Sequence, residues 1–199
     1  MARNRQPIAK RCKALGISPT VMGYNKKTTT RNAAGAVRRK KSEYSLQLQE
    51  KQKVKFVYGV LEKQFRGYYE NATRMPGKTG ENLLIQLERR LDNVVYRLGF
   101  AATRREARQI VTQGHFTVDG RKVNIPSFLV KPGMVITLRE RSRSIQRFKD
   151  NLEANASIAK PQWLDYDANT MTGRIVSNPK REDIDLPVEE TLIVELYSK

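Results

Sequence analysis

The chain has 199 residues but one cysteine, one histidine and one tryptophan, and it lacks any long apolar run. A lone Cys12 cannot form an internal disulfide, which excludes a disulfide-stapled domain and fits a reducing cytosol. No stretch of about 18 apolar residues exists, so a membrane-spanning helix is excluded. Met1-Ala2-Arg3-Asn4-Arg5 leads into no hydrophobic signal segment, which argues against secretion. Acid is the remaining scarcity. Against 38 Lys and Arg stand 20 Asp and Glu, a net charge of +18, and residues 1–41 hold 12 basic side chains without one acidic partner.

The basic surplus is unevenly placed. Residues 1–66 hold 17 basic and 3 acidic side chains, residues 67–150 hold 16 and 8, and residues 151–199 hold 5 and 9. A mildly acidic end behind a strongly basic front predicts one surface that meets a polyanion and another that meets protein or solvent. Nucleic acid, an anionic membrane surface and acidic protein are the candidate polyanions. With 39% hydrophobic residues, one or two domains with a modest core are expected. Segment 1–41 has scattered apolar residues and no periodicity, so it is expected to be irregular alone and to gain order against a polyanion. Its candidate RNA contacts are Arg3, Arg5, Lys10, Arg11 and Lys13 near the start, and Arg38, Arg39 and Lys40 near the end. The bland alternative is a solubilising tail, but this much uncompensated charge exceeds what solubility needs.

Beyond the arm, Ser42 predicts a helix cap, with Glu43 in the first turn. Val54, Val57, Leu61 and Phe65 then share one helical stripe, with Lys51 and Lys55 away from it as candidate RNA contacts. Leu84, Leu87, Leu91, Val94 and Leu98 recur at helical spacing and stop at Gly99, predicting one long helix. Val135-Ile136-Thr137-Leu138 predicts a strand, 144–156 a helix, and Trp163 to Val176 two short strands around Asp167-Ala168-Asn169. The alternation of Leu192, Val194 and Leu196 is too short to assign.

The most telling stretch is 103–123. Thr103 and Glu106 fit a capping box, Ala107, Ile110 and Val111 supply an apolar face, and Gly114 suits the left-handed residue after a helix. Phe116 and Val118 alternate with polar residues up to Asp119-Gly120, a two-residue hairpin signal. Arg104, Arg105 and Arg108 therefore crowd a helix start, where N–H groups and the macrodipole favour anions. Arginine suits phosphate because its planar fork bonds two oxygens at once. Gln109 and Gln113 share that helix and can reach 2′-hydroxyls or base edges. Arg121 and Lys122 sit on the hairpin, and Arg139, Arg141 and Arg143 follow the returning strand.

Other motifs favour plain readings. Ala72-Thr73-Arg74-Met75-Pro76-Gly77-Lys78-Thr79 misses a phosphate loop by its first glycine and lacks a preceding strand, so it is a helix connector. His115 has no nucleophile partner and reads as a solvated or RNA-contacting residue rather than a base. Trp163 packs with Leu164 and Tyr166, or stacks on RNA. Tyr68 and Tyr69, beside Arg66, itself a candidate RNA contact, either pack or stack on bases.

The residues Arg90-Leu91-Asp92-Asn93-Val94-Val95-Tyr96-Arg97-Leu98-Gly99-Phe100, Thr103-Arg104-Arg105-Glu106-Ala107-Arg108-Gln109, Gly114-His115 and Val118-Asp119-Gly120 closely resemble the S-four RNA-binding motif. That motif also occurs in some pseudouridine synthases, tyrosyl-tRNA synthetases and small heat-shock RNA binders. The flanks Ser42-Glu43-Tyr44-Ser45-Leu46-Gln47-Leu48-Gln49 and Leu192-Ile193-Val194-Glu195-Leu196-Tyr197-Ser198-Lys199 resemble the bacterial small-subunit ribosomal protein four family. The resemblance is close over 42–199 and loose over 1–41.

It implies an α+β fold class: a mostly helical body, an inserted S-four RNA-binding motif (a helix pair plus a small antiparallel sheet) and an irregular basic N-terminal arm. The implied domains are 1–41 as the RNA-binding arm, 42–88 with 150–199 as a discontinuous helical body carrying short C-terminal strands, and 89–149 as the RNA-binding domain. The implied function is structural, not enzymatic. Such a protein binds small-subunit (16S) ribosomal RNA directly, nucleates early assembly of the small subunit and lines the messenger RNA entry region. Arg38 and Lys40 would face the incoming messenger RNA. Ribosomal protein five is an implied partner, translational fidelity and autoregulation are implied roles, and the cytoplasmic ribosome is the implied location.

Many members of that family hold zinc with four N-terminal cysteines. Cys12 matches one of them and Ala9 stands at its paired position, yet a tetrahedral site needs four thiolate or imidazole ligands. No zinc, other metal or cofactor is therefore expected. Two alternatives carry the same motif: an RNA-modifying enzyme of the pseudouridine synthase type, and an RNA chaperone. The enzyme needs a separate catalytic domain with an aspartate nucleophile, for which the 49 residues of 151–199 are too few. A chaperone would leave residues 1–66 without a purpose.

Overall fold

A computed structural model of the chain describes residues 7–24, 42–156 and 159–198. Along the described residues come helices α1 (Ile8–Leu15), α2 (Glu43–Tyr58), α3 (Glu62–Thr73), α4 (Thr79–Glu88), α5 (Leu91–Arg97) and α6 (Arg104–Gln113). Strands β1 (Phe116–Val118), β2 (Arg121–Lys122) and β3 (Val135–Leu138) follow, then α7 (Glu140–Arg143) and α8 (Gln146–Ala154). Strands β4 (Leu164–Asp167) and β5 (Thr172–Ile175) precede the last helix, α9 (Glu190–Tyr197). The described residues up to Arg66, together with those from Pro187 onward, form one unit; Gly67–Leu186 form the other, so the boundary falls inside α3. The α+β class follows directly. Among the described residues, no helix is long and apolar enough to cross a membrane.

In the first unit, α2 packs against both α1 and α9. Ser42 caps α2, its Oγ accepting the Ser45 N–H at 3.3 Å, and Gly59 at φ 64° ends it. The apolar stripe expected on one helix is therefore split: Val54 and Val57 are buried on α2, Phe65 is buried on α3, and Leu61 lies exposed between them. The arm is less irregular than its charge suggests. Residues 8–15 are helical, a turn of 3-10 helix spans Pro19–Met22, and Cys12, Leu15, Ile17 and Met22 are buried. Scattered apolar residues were enough, because they need only meet α2. Gln49 Nε2 donates to the Leu15 carbonyl at 2.9 Å.

Lys51 and Lys55 have protein partners in this unit. Their Nζ atoms lie 3.1 and 2.5 Å from the two oxygens of Glu62, and the Tyr197 hydroxyl donates to the same carboxylate at 2.7 Å. Lys51 also sits 5.1 Å from the Tyr197 ring centroid. Residues 192–196, left unassigned by their alternation, are helical because α9 lays Ile193 into the core and its polar residues elsewhere.

The second unit is built on a five-stranded antiparallel sheet of order β2-β1-β3-β5-β4. Asp119 and Gly120 both take positive φ (48° and 77°), making the tight hairpin that joins β1 to β2. On β1 and β3, Phe116, Val118, Ile136 and Leu138 are buried while Thr117 and Thr137 between them are half-exposed. The buried residues join Leu91, Val94 and Val95 of α5, Leu98 at its end, Ala107 and Val111 of α6, Phe148 of α8 and Trp163 in one core. Trp163 is thus a packing residue, and its Nε1 lacks a hydrogen-bond partner.

Two expectations differ from what is seen here. Residues 164–175, assigned by resemblance to the body with 42–88, pair instead with β3 of this sheet: Ile136 lies opposite Gly173 and Leu164 opposite Ile175. The edge of β3 would otherwise carry unpaired backbone groups. The single leucine-rich helix is also two. Arg90 is extended (φ −68°, ψ 138°) and bridges to Leu129, and the N–H groups of Leu91 and Asp92 donate to the carbonyls of Phe128 and Pro126. All five leucine-stripe residues remain fully buried.

At Gly173 the sheet closes on Leu98, the residue that ends α5: a Cβ there would overlap the Leu98 methyls. Gly173→Ala should lower the unfolding free energy by about 1–3 kcal/mol in urea titrations, the usual range for overpacking. Glu62 yields a second test. Burial pushes its carboxyl upward, but hydrogen bonds from Lys55, Tyr197 and Lys51 outweigh this and hold its pKa at about 2, below the ordinary 4.5. The stabilisation is present above 4.5 and fades as pH falls from there toward 2. Chemical denaturation across that window should show the native chain losing more stability than Glu62→Gln.

Candidate nucleic-acid interface

Helix α6 carries the predicted cluster, and its start is more occupied than its sequence suggests. Thr103 is extended, and its Oγ1 accepts the Glu106 N–H at 3.1 Å. Glu106 reaches one residue past the usual capping box: its Oε2 accepts the N–H of Ala102, at 2.9 Å, not that of Thr103. Its Oε1 accepts from Arg147 Nε at 2.6 Å and from Asn151 Nδ2 at 3.2 Å. Burial alone would raise the Glu106 carboxyl, yet these donors hold it below its ordinary range, so it is ionised near neutrality. A fixed carboxylate in the first turn offsets the positive end of the helix dipole.

The three arginines differ in setting. Arg105 is exposed. Arg104 is half-buried, with Nε donating to Asn93 Oδ1 at 2.8 Å and its guanidinium carbon 4.5 Å from the Tyr96 ring centroid. Arg108 lies 3.6 Å from Asp92 Oδ2. They rest on a buried polar network between α4 and α6. Arg90 grips Asp92 with two bonds (Nε–Oδ1 3.0 Å, NH2–Oδ2 2.6 Å) and donates to the Tyr68 hydroxyl at 2.7 Å. Burial opposes the charge on Arg90, but Asp92 and Tyr68 overcome it and raise its pKa. Tyr68 is thereby a packing residue. Glu88, fully buried, accepts from Asn93 Nδ2 at 2.7 Å and from Arg97 Nε and NH2 at 3.2 and 3.1 Å.

Around this helix the remaining candidates gather. Gln109 and Gln113 are exposed on α6, and Arg121 and Lys122 are exposed on β2, with the Lys122 stem against Gly114. His115 is engaged at both nitrogens: Nδ1 with Ser142 Oγ at 2.9 Å and Nε2 with Gln113 Oε1 at 3.2 Å. Burial, and then the charge of Arg139, lower its pKa, so the ring is neutral near pH 7 and braces the helix end against residue 142. Arg139 and Arg143 donate to the carbonyls of Gly114 and Leu138, at 3.1 and 3.3 Å, whereas Arg141 is exposed. With Thr117 and Thr137 these three arginines line an open depression of about 350 Å³.

The other predicted contacts lie in the first unit or outside the described residues. Lys10 and Lys13 are exposed on α1, Arg11 reaches Gln52 Oε1 at 3.4 Å, and Arg66 is exposed on α3, all in the first unit. Lys51 and Lys55 share Glu62, whose single charge offsets one of their two within the protein. Arg3, Arg5, Arg38, Arg39 and Lys40 lie outside the described residues. Cys12 is buried, and among the described residues no group of three or more His, Cys, Asp or Glu could hold a metal. One thiol does not fit a four-ligand zinc site.

Asn93, Glu88 and Tyr96 were not singled out from sequence. Their signal was weak but present: Asp92 and Asn93 interrupt an otherwise apolar stripe of Leu91, Val94, Val95 and Leu98.

Comparison with known proteins gives two family matches. The profile of the S4 domain matches residues 89–136, and that of the ribosomal protein S4/S9 N-terminal domain matches residues 3–88. A small ribosomal subunit protein uS4 from Lachnospira eligens is 56% identical over 199 residues, all of both chains. Another of that name, from Agathobacter rectalis, is 55% identical over the same extent. A third, from Clostridioides difficile, is 61% identical over 165 residues, 83% of this chain and 79% of its own. Replacing Thr103 by Ala removes the cap on α6 and should cost about 1 kcal/mol of stability in thermal or urea unfolding.

Proposed function

Because the chain belongs to the small ribosomal subunit protein uS4 family, we propose that α6, the β1–β2 hairpin and the arginines after β3 form its grip on ribosomal RNA. Membership makes the chain a structural, non-enzymatic component of the small ribosomal subunit that binds its RNA, located on cytoplasmic ribosomes. The pseudouridine synthase alternative falls away with it, as does the free-standing chaperone.

One observation carries the grip: Arg104, Arg105 and Arg108 stand in the first turns of α6 while exposed Arg121, Lys122 and Arg141 flank the same helix-and-hairpin unit. Such a surface reads shape and charge, through phosphates and 2′-hydroxyls, and needs no base-specific chemistry. Exposed Gln109 and Gln113 add donors and acceptors suited to the ribose. Lys10, Arg11 and Lys13, with Arg3, Arg5, Arg38, Arg39 and Lys40, extend the reading to a basic arm over 1–41. Contact with messenger RNA at its entry, with ribosomal protein five, an early role in assembly and effects on fidelity or autoregulation belong to the same proposal. Family membership supports them.

Binding to small-subunit ribosomal RNA should weaken steeply with salt, because each neutralised phosphate releases counterions. Replacing Arg104, Arg105 and Arg108 together by Ala should lower affinity and flatten the log–log salt slope by about one for each phosphate that is no longer neutralised. Filter binding over a salt series decides it; an unchanged slope and affinity would refute the grip.

A further inference from the structure

Arginine side chains on a nucleic-acid surface ordinarily sample many rotamers, and binding must freeze them. Arg104 is already held. Its Nε bond to Asn93 Oδ1 and the Tyr96 ring against its guanidinium set the plane of the fork from two directions. The orientation of Asn93 is itself dictated from behind. Its Nδ2 donates to Glu88 Oε2 at 2.7 Å and to the Glu88 carbonyl at 3.1 Å. A backbone carbonyl can only accept, so the amide nitrogen must face Glu88 and the amide oxygen must face Arg104. Arg97 holds Glu88 from the other side, and Glu88 is fully buried, so the chain Arg97–Glu88–Asn93–Arg104 has one hydrogen-bonding solution. Asn93 is 2% exposed and never needs to touch RNA itself.

From this geometry we infer that Asn93 and Tyr96 are positioning residues for RNA recognition, presetting the Arg104 guanidinium before the ribosomal RNA arrives. The inference rests on the reading of α6 as an RNA grip and adds to it a second layer of residues that act only through an arginine. Their contribution is an ordering cost that binding avoids, and for one long side chain this corresponds to about a three- to tenfold gain in affinity. It should appear in RNA binding in excess of any change in folding.

The test is a double-mutant cycle on the full chain, read as affinity for transcribed small-subunit ribosomal RNA and corrected for the folded fraction by circular dichroism. Asn93→Ala should weaken binding about three- to tenfold in the native background and have no further effect alongside Arg104→Ala. Since Asn93→Ala also unpairs buried Glu88 and can impair folding, Tyr96→Leu supplies the same cycle from the half-exposed side, and Tyr96→Phe, which keeps the ring, should retain native affinity. If Arg104→Ala weakens binding but neither Asn93→Ala nor Tyr96→Leu does, or if their effects persist in full without Arg104, the positioning role is wrong while the grip stands. If Arg104→Ala leaves affinity unchanged, Arg104 is no part of the grip and the inference falls with it.

Discussion

The second unit depends on one buried exchange of charge, the two-bond grip of Arg90 on Asp92. Both side chains are almost wholly withdrawn from water, at 1% and 6% exposure, and neither could be there without the other. Such a pair is not in itself a large source of stability, since desolvation of both ions offsets most of their attraction; losing one partner would leave the other charged and unpaired, at about 3–5 kcal/mol. What the pair does is geometric. To reach Asp92 two residues on, Arg90 leaves helical backbone, so the leucine-rich stripe breaks into α4 and α5. The freed backbone groups around the break are not abandoned: Val130 N–H donates to the Arg89 carbonyl, and residues 126–130 accept or donate along the same edge. The ion pair and these backbone bonds together hold the break between the two helices and pin the 126–130 loop against it.

The same economy runs through the rest of the charge. Twenty acidic residues against 38 basic ones cannot compensate everything, so where each acid sits decides which cations are available to a polyanion. Glu62 takes Lys51 and Lys55, Glu88 and Asp185 take Arg97, and Glu106 takes Arg147. The surplus emerges on β2 and α7 as exposed Arg121, Lys122 and Arg141. Acid is committed to architecture, and the basic excess is left facing outward where RNA would meet it.

How much of this could be read in advance follows from the range of each interaction. Helix α6, its cap, its glycine stop and the Asp119-Gly120 hairpin depend on residues within about four positions of one another, and the sequence signals for them were sound. The α4–α5 break was invisible because its cause, Arg90 turning to Asp92 and Tyr68, contradicts a stripe that is otherwise perfectly helical. The pairing of β5 with β3 joins Thr172 to Thr137 across 35 residues, and no local pattern announces it; only Gly173 hinted that something approaches closely there. At the site, basic residues could be nominated by type but not sorted. Lys55 and Arg105 look alike in a sequence, and only the fold shows that the first is paired with a glutamate and the second lies on the exposed face of α6.

The cap on α6 bears on how the grip works. A bare helix start attracts phosphate through its unpaired N–H groups, an attraction that is weak but needs no side chain. Here the Thr103 hydroxyl and the Glu106 carboxylate occupy the N–H groups of Glu106 and Ala102, and the carboxylate adds a negative charge to the first turn. The cap thus takes the Glu106 N–H, one of the first-turn donors that backbone anion binding would use. In the proposed grip the pull on RNA falls on guanidinium groups, which bond two oxygens each and can be aimed by neighbours such as Asn93 and Tyr96. A grip of that kind derives its strength from counterion release and its fit from how rigidly a few arginines are held. The buried carboxylates that hold them are, on this argument, as much a part of RNA recognition as the cations at the surface.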